Sequence, residues 1–472
     1  MSSLTIYRFG ETLARATIKP ETSSQQQVTL MQEDVLVLNF QSPTVIAFQI
    51  GDYCTFMGKL YQINKLPQIK KIAKRNLQYS LQMEAEYYDL AKVSYLFLDA
   101  NDNFTEPVFP LRGRLQDFAD LIVYNLNRVF PTAGWVLGTI IVTDYQTIQF
   151  SAQNCLQVLN TIASAFNTEF FCEGKVINIF QRQNSSNIVL SVGQDEALLS
   201  LTQGDQTSAN IITRLYAYGS TKNISATYRS GAQRLRMGDI PYLEKNVALY
   251  RLQEFTVLFD GTNGNQEIYP HRTGTVSAIG DPIENPTAWF LEFTDAAIDF
   301  DVNGYLIAGV TAQVTFNTGL LSGYTFDIST FNNTTKKFVI NQNTSDPNFI
   351  APSALYHAQI GDTYVITQIN QPAIYYTNAE AELKAAAQAY LDKYNIPPLV
   401  YSGECNPLWF KRNNPNFKLT DSIQMLDIDL GINRITRITA FVRNFINIFE
   451  IQMTLSDTVT NNTIIIKLLN GL

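Results

Sequence analysis

From Leu77 to Tyr88 the side chains alternate one for one, with Leu81, Met83, Ala85 and Tyr87 on one parity and Gln82, Glu84, Glu86 and Tyr88 on the other. Successive side chains of an extended chain point to opposite faces, so a period of two dictates a half-buried strand. Such a strand needs neighbours, and the first hundred residues supply them. Val35–Phe40 and Thr44–Ile50 are rich in β-branched and aromatic residues. Gly51-Asp52 marks a turn before Tyr53–Met57, and Gly58 precedes Leu60–Ile63. Short strands at this spacing predict a barrel or sandwich closed on itself.

The pattern changes after Asn101. Phe118, Leu121, Ile122, Leu126 and Val129 form a helical stripe over Leu115–Phe130. Strand-like Gly138–Val142 follows, then Ser151 as the N-cap of a second helix, Cys155–Phe166. Thr168–Cys172 and Lys175–Gln181 flank the turn Glu173-Gly174 as a hairpin, which completes a small α+β unit. Ile211–Tyr218 again reads as a strand. From Thr221 to about Tyr375 the chain is rich in Gly, Asn and Thr, with short strand candidates at Thr275–Ile279, Trp289–Phe293, Gln313–Phe316, Lys337–Asn341 and Thr363–Ile366. This stretch reads as an all-β module inserted between two parts of another domain. A helix over Asn378–Tyr394 carries acids at its start and Lys393 in its last turn, and Pro397-Pro398 ends it. Ser422–Leu430, Ile435–Val442 and Asn447–Leu455 close the series as strands. The fold class expected is β-rich α+β, multidomain.

Charge narrows the partners. With 34 basic and 42 acidic residues the net charge is −8, which disfavours tight binding of nucleic acid. Cys54, Cys155, Cys172 and Cys405 lie far apart without a CxxC pair, so they read as buried free thiols. No signal-peptide pattern opens the chain, and no apolar run is long enough to span a bilayer. Synthesis and folding in a cytoplasm are expected.

A search for reaction chemistry yields little. His271 and His357 are the two histidines, and neither sits at metal-ligand spacing. No GxSxG elbow, Walker A loop or dinucleotide fingerprint follows a strand. Asp99 to Asn103 resembles the start of a calcium loop, but Phe104 replaces the turn glycine and Pro110 the bidentate Glu. Asp427 and Asp429, two residues apart on one strand face, are the remaining acid pair, and a solvated face explains them. Trp289, Phe290, Tyr305 and Tyr324 of the insert suit either a sugar-stacking platform or the module's own core. No catalytic, cofactor-binding or metal-binding residue is expected, and the chain reads as no enzyme.

Several segments resemble, in order from about residue 40 to 460, the tail-tip or baseplate hub proteins of tailed phages, notably those of Bacteroidetes phages and prophages. They are Gly51-Asp52-Tyr53 through Gly58 to Ile63, followed by Glu86 to Leu90, and then Ile211 to Ile224. Glu267 to Val276, Gly319 to Ile328, Gly361 to Val365 and Ala379 to Leu383 continue the series. Arg437-Ile438-Thr439 leads into Phe449 to Asp457. The resemblance implies residues 1–107 as a first tube β-barrel domain and 108–195 as a small α+β domain. Residues 196–222 with 376–460 would be a second, split tube barrel, 223–375 an inserted β-rich peripheral domain, and 461–472 a C-terminal tail. Three chains would present six barrels as a ring matching a six-fold tail tube. The implied partners are two further copies of the chain, tail-tube or distal tail rings, and a fibre or spike protein. DNA would pass through the lumen without specific binding, and the protein would end in the virion after assembly in the bacterial cytoplasm. Family members often carry a lysin domain after the hub. This chain stops soon after Leu455, so that activity is not carried over.

A lumen for DNA should lack a basic lining, and Glu84, Glu86, Asp427 and Asp429 are the acids expected to line it, with an outer-wall position as the alternative. Other readings are host-surface glycan binding by the insert, a cell-wall hydrolase as in longer relatives, and the hub of a phage-derived contractile injection system.

Overall fold

The computed structural model describes residues 3–456 except 12, 98–106, 144, 183–184, 206–210, 263–264, 345–349 and 397–398. The tail 461–472 and the loop Asp99 to Asn103 therefore lie outside the described residues. The fold is β-rich and multidomain, dominated by a fourteen-stranded sheet with two lobes, each around its own apolar core.

The first lobe is built from one stretch of chain. Its strands run in space as Gln25–Thr29, Glu33–Ser42, Asn76–Ala85, Lys59–Gln62, Tyr53–Phe56, Leu4–Tyr7 and Ala14–Ile18. Gln68–Ala73 pairs with the first half of Asn76–Ala85. The alternation read from sequence is realised there, with Tyr79, Leu81, Met83 and Ala85 buried among Ile6, Leu36, Phe40, Phe56 and Tyr61. The strand stops at Ala85, earlier than expected, because Glu86–Lys92 winds into a 3-10 helix that buries Leu90. Thr44–Ile50 is not a strand. Its residues wrap the core as loop, with Phe48 packed edge-on against Phe40 and Tyr79.

The second lobe joins segments from distant parts of the sequence. Ser185–Ser191, Ser422–Asp427, Ile432–Asn444, Ile451–Ser456, Leu399–Cys405 and Leu198–Asp205 are its strands. It continues into the first lobe through antiparallel pairing of Ala440–Asn444 with Thr29–Gln25. The lobes exchange side chains at this joint. Val28 belongs to the second core, while Phe445 enters the first core and stacks on Phe56 at 4.7 Å.

Between the lobes in sequence sits the α+β unit. Helix Leu115–Val129 buries Phe118, Ile122 and Leu126 of the five-residue stripe read from sequence, while Leu121 is half-buried and Val129 is exposed. Helix Cys155–Ala165 is capped by Asn154, not Ser151. Gln157 N donates to Asn154 Oδ1 at 2.9 Å, and Asn154 N donates to the Gln157 side chain at 3.0 Å. Ser151 instead ends strand Gln146–Ser151, which pairs with Val108–Gly113. Hairpin Phe170–Glu173/Val176–Ile179 joins Val136–Ile140 in a second small sheet. The unit is tied to the second lobe by a buried ion pair, in which Arg437 donates to both Glu169 oxygens at 3.0 and 2.6 Å.

The chain from 211 to 396 leaves the large sheet between Leu198–Asp205 and Leu399–Cys405, two strands that pair with each other. It is nested. An outer layer places Arg214–Gly219 between Leu243–Glu244 and Glu254–Phe259. Helix Ala373–Tyr394 covers this layer with Ala379, Leu383, Ala387 and Leu391, spaced four residues apart, in one core with Leu215, Ala217 and Val257. An inner seven-stranded sheet, from Thr273–Thr275 to Thr363–Thr367, packs around Phe293, Phe316, Phe338 and Tyr364. Two expected placements thus differ. The strand read at Ile211–Tyr218 and the helix read at Asn378–Tyr394, both assigned to the second barrel, form a layer of their own. Ser185–Ser191, assigned to the α+β domain, pairs in parallel with Ser422–Asp427 of the large sheet. Trp289–Phe293 is a 3-10 turn, Trp289–Leu291, leading into the short strand Glu292–Thr294.

Candidate functional site

The four acids expected to line a lumen occupy three kinds of local structure. Glu84 is on strand Asn76–Ala85 and accepts from Asn64 Nδ2 at 2.7 Å. Glu86 sits in the 3-10 helix, 3.7 Å from Lys175 Nζ. Asp427 ends its strand and accepts the Leu430 N–H at 2.9 Å, so that it closes the turn. Asp429 is exposed in that turn, ahead of Gly431 at φ 66°. The pair Asp427/Asp429 therefore does not share a strand face. The period of two in the sequence runs past the point where the glycine turns the chain back.

The aromatics of the insert are each held locally. Trp289 packs edge-on against Phe290 and against His357 at 4.6 Å. Tyr305 meets Phe300 at 5.4 Å. Tyr324 packs on the module's core. All three are half-buried. His271 Nδ1 lies 2.8 Å from the Tyr269 carbonyl. No group of three or more His, Cys, Asp or Glu that could hold a metal occurs among the described residues.

What sequence reasoning missed is a cavity of about 600 Å³ where the two lobes and the α+β hairpin meet. On one wall a chain of polar groups crosses the joint. Lys59 Nζ and Tyr61 OH each donate to Asp34 at 2.7 Å. Gln26 Nε2 donates to Tyr61 OH at 2.7 Å, and Arg443 Nη1 reaches Gln26 Oε1 at 3.4 Å. Burial, then Asp34, pushes the Tyr61 hydroxyl far above its usual range, so it stays a proton donor. The Arg443 guanidinium lies over Phe441 at 5.2 Å and Phe417 at 5.4 Å, and burial lowers its pKa. On the other wall Glu173 accepts from Arg182 at 3.0 Å and Lys418 at 3.1 Å. Burial raises its pKa, but these two hydrogen bonds outweigh it and hold the carboxyl below the usual range. Cys172 is pushed up to about 12 by burial, with Lys59 opposing weakly, so it is a protonated thiol and a poor nucleophile. Most of these charges are paired within one wall or the other. The arrangement locks three bodies together, and no activated nucleophile faces a base. No sequence motif marks it, because its residues come from six separate segments.

The fold is similar to that of the prophage tail protein gp18 from Listeria monocytogenes, with a TM-score of 0.51 and 10% identity over 100% of this chain and 99% of that one. The 43 kDa tail protein of prophage MuSo2 from Shewanella oneidensis has a TM-score of 0.47 and 6% identity, covering 96% of this chain and 97% of its own. A tail protein from Neisseria meningitidis has a TM-score of 0.47 and 8% identity, covering 96% of both chains. No protein-family model matches the chain, and no curated protein matches it. At 10% identity the first likeness establishes a shared fold, end to end, with a protein of a phage tail.

Proposed function

We propose that this chain is a structural hub at the distal end of a phage tail, a homotrimer whose two sheet lobes per copy form a six-part ring continuous with the tail tube. The observation that carries this is the end-to-end likeness to a phage tail protein, with neither chain left over. The joined lobes support it, because two barrel-like bodies fused through one sheet are what a trimer needs to meet a six-fold tube. In this reading the ring contacts distal tail rings on one side and a fibre or spike on the other. DNA passes through it without sequence contact. The nested insert stands at the periphery, the role is non-enzymatic, and the site of action is the virion. Light scattering on the purified chain tests the proposal, with three times the 53.2 kDa chain mass expected. A trimer whose projection images lack a central channel would sink it.

A further inference from the structure

We propose that the cavity between the two lobes and the α+β hairpin binds a small organic carboxylate, with Arg443 as the residue that takes its charged group. The inference concerns the single chain and is independent of the ring proposed above.

It starts from a charge without a counter-charge. The cavity lining holds four cations, Lys59, Arg182, Lys418 and Arg443, and three carboxylates, Glu33, Asp34 and Glu173. Lys59 is paired with Asp34 at 2.7 Å, and Arg182 and Lys418 share Glu173 at 3.0 and 3.1 Å. Arg443 makes no ion pair among the described residues. Glu33 does not serve it. In the pairing at the joint Glu33 stands opposite Thr29 and Arg443 opposite Gln26, three residues apart on Gln25–Thr29. That is roughly 10 Å at the rise of a strand. Arginine is seldom buried without a partner, because the water it loses has to be replaced by other acceptors. The surplus in the lining is one positive charge, which matches a monoanion.

The guanidinium is held in place and its donors are idle. Phe441 and Phe417 lie 5.2 and 5.4 Å from its central carbon and meet each other edge-on. Nη1 has only the 3.4 Å contact with Gln26 Oε1, and Gln26 is itself fixed by the Tyr61 hydroxyl. Nε is buried without a hydrogen-bond partner, and Nη2 has none among the described residues. Nη2 is the less enclosed of the two and is the donor a ligand meets. A guanidinium stacked on rings keeps its N–H edges for a planar oxyanion.

The space suits an organic molecule better than a bare ion. Its volume of about 600 Å³ falls within the range of about 300–1,000 Å³ usual for small-molecule sites. Leu30, Met31, Phe171 and Leu419 supply apolar wall for the body of the ligand. Arg443 comes from the second lobe, Gln26 from the first and Phe171 from the α+β hairpin. A ligand seated there touches all three bodies, so its binding tightens the joint. Water on Nη2 is the plain alternative, and it predicts that the cavity does not tell one solute from another.

The test titrates the full chain with sodium benzoate, benzyl alcohol and inorganic phosphate at one ionic strength set by chloride, read by calorimetry and thermal midpoint. Benzoate is expected to bind and raise the midpoint, with benzyl alcohol, the same ring without the charge, at least about tenfold weaker. Arg443→Met keeps the stem between the two rings and removes the charge, and is expected to weaken benzoate by about tenfold or more. Gln26→Glu sets a carboxylate beside Arg443 Nη1 and should abolish benzoate binding from within, which keeps the test open if R443M does not fold. Slower hydrogen exchange of Gln25–Thr29 and Ile432–Asn444 in benzoate, absent in the variants, supports the tightening. Equal response of wild type and both variants overturns the role of Arg443. Benzyl alcohol binding as well as benzoate makes the cavity merely apolar, and phosphate binding more tightly than benzoate makes it an inorganic-anion site; either overturns the proposal. If no probe binds, the cavity holds water only and the proposal falls, while the mass of the assembled chain, and with it the hub reading, is untouched.

Discussion

The two lobes of the large sheet reach similar architecture from opposite sequence economies. The first is drawn from residues 4–85 in one pass. The second takes strands from 185–205 and from 399–456. Strand pairing and an apolar core do not require the partners to be near in sequence. The loop-closure cost of a long excursion grows only with the logarithm of its length, and a folded excursion brings its own ends together. The lobes are not independent, however, since Val28 and Phe445 each sit in the other lobe's core.

This comparison can be broken at the joint. Phe445→Ala removes a ring that is reached from a second-lobe strand but buried in the first core, stacked on Phe56. A loss of about 4 kcal/mol is expected, and hydrogen exchange should report loosening in both lobes. Glu169→Ala strands the buried Arg437 guanidinium, for about 3 kcal/mol. Its effect should be confined to the second lobe and the α+β unit, with Glu33–Ser42 still protected. Tyr61→Phe breaks the Gln26–Tyr61–Asp34 chain and leaves Gln26 and Asp34 short of a partner, at about 2 kcal/mol, felt first in the first lobe. The smallest effect lies in the insert and should touch neither lobe. Burial raises the Asp295 pKa, but hydrogen bonds from Arg272 at 2.6 Å and Tyr364 at 2.9 Å outweigh it, so the folded value is lowered. A depressed carboxylate stabilises the fold above its unfolded pKa of about 4. That stabilisation drains as pH falls through the folded value, and Asp295→Asn should flatten the acid limb of the insert's unfolding profile.

Much of the first lobe was legible because one face of each strand is buried, and the alternation at Leu81, Met83 and Ala85 reports that directly. The composition changes only after Thr221, whereas the chain leaves the large sheet after Leu198–Asp205 and rejoins it at Leu399–Cys405. Nor was the placement of Arg214–Gly219 legible. Ile211-Ile212-Thr213-Arg214-Leu215-Tyr216 suits any half-buried strand, and its sheet is settled by helix Ala373–Tyr394, more than a hundred residues away. That helix begins five residues before the expected start, because Ile374, Tyr375 and Tyr376 look like strand residues while Pro372 sets the N-terminus. Of the candidate site, single residues were visible and the assembly was not. Asp34, Glu173, Lys418 and Arg443 meet only after three bodies have packed.

The nested excursion also sets a schedule for synthesis. Leu198–Asp205 leaves the ribosome long before its partner Leu399–Cys405 has been made. At ~5–20 residues per second the wait is roughly 10–40 s. Through that interval the nascent chain holds an unpaired strand, while the first lobe's Gln25–Thr29 edge waits longer still for Ile432–Asn444. The interval is ample for the nested layers to fold in turn, so that the last strands to emerge close a lobe whose interior excursion is already complete.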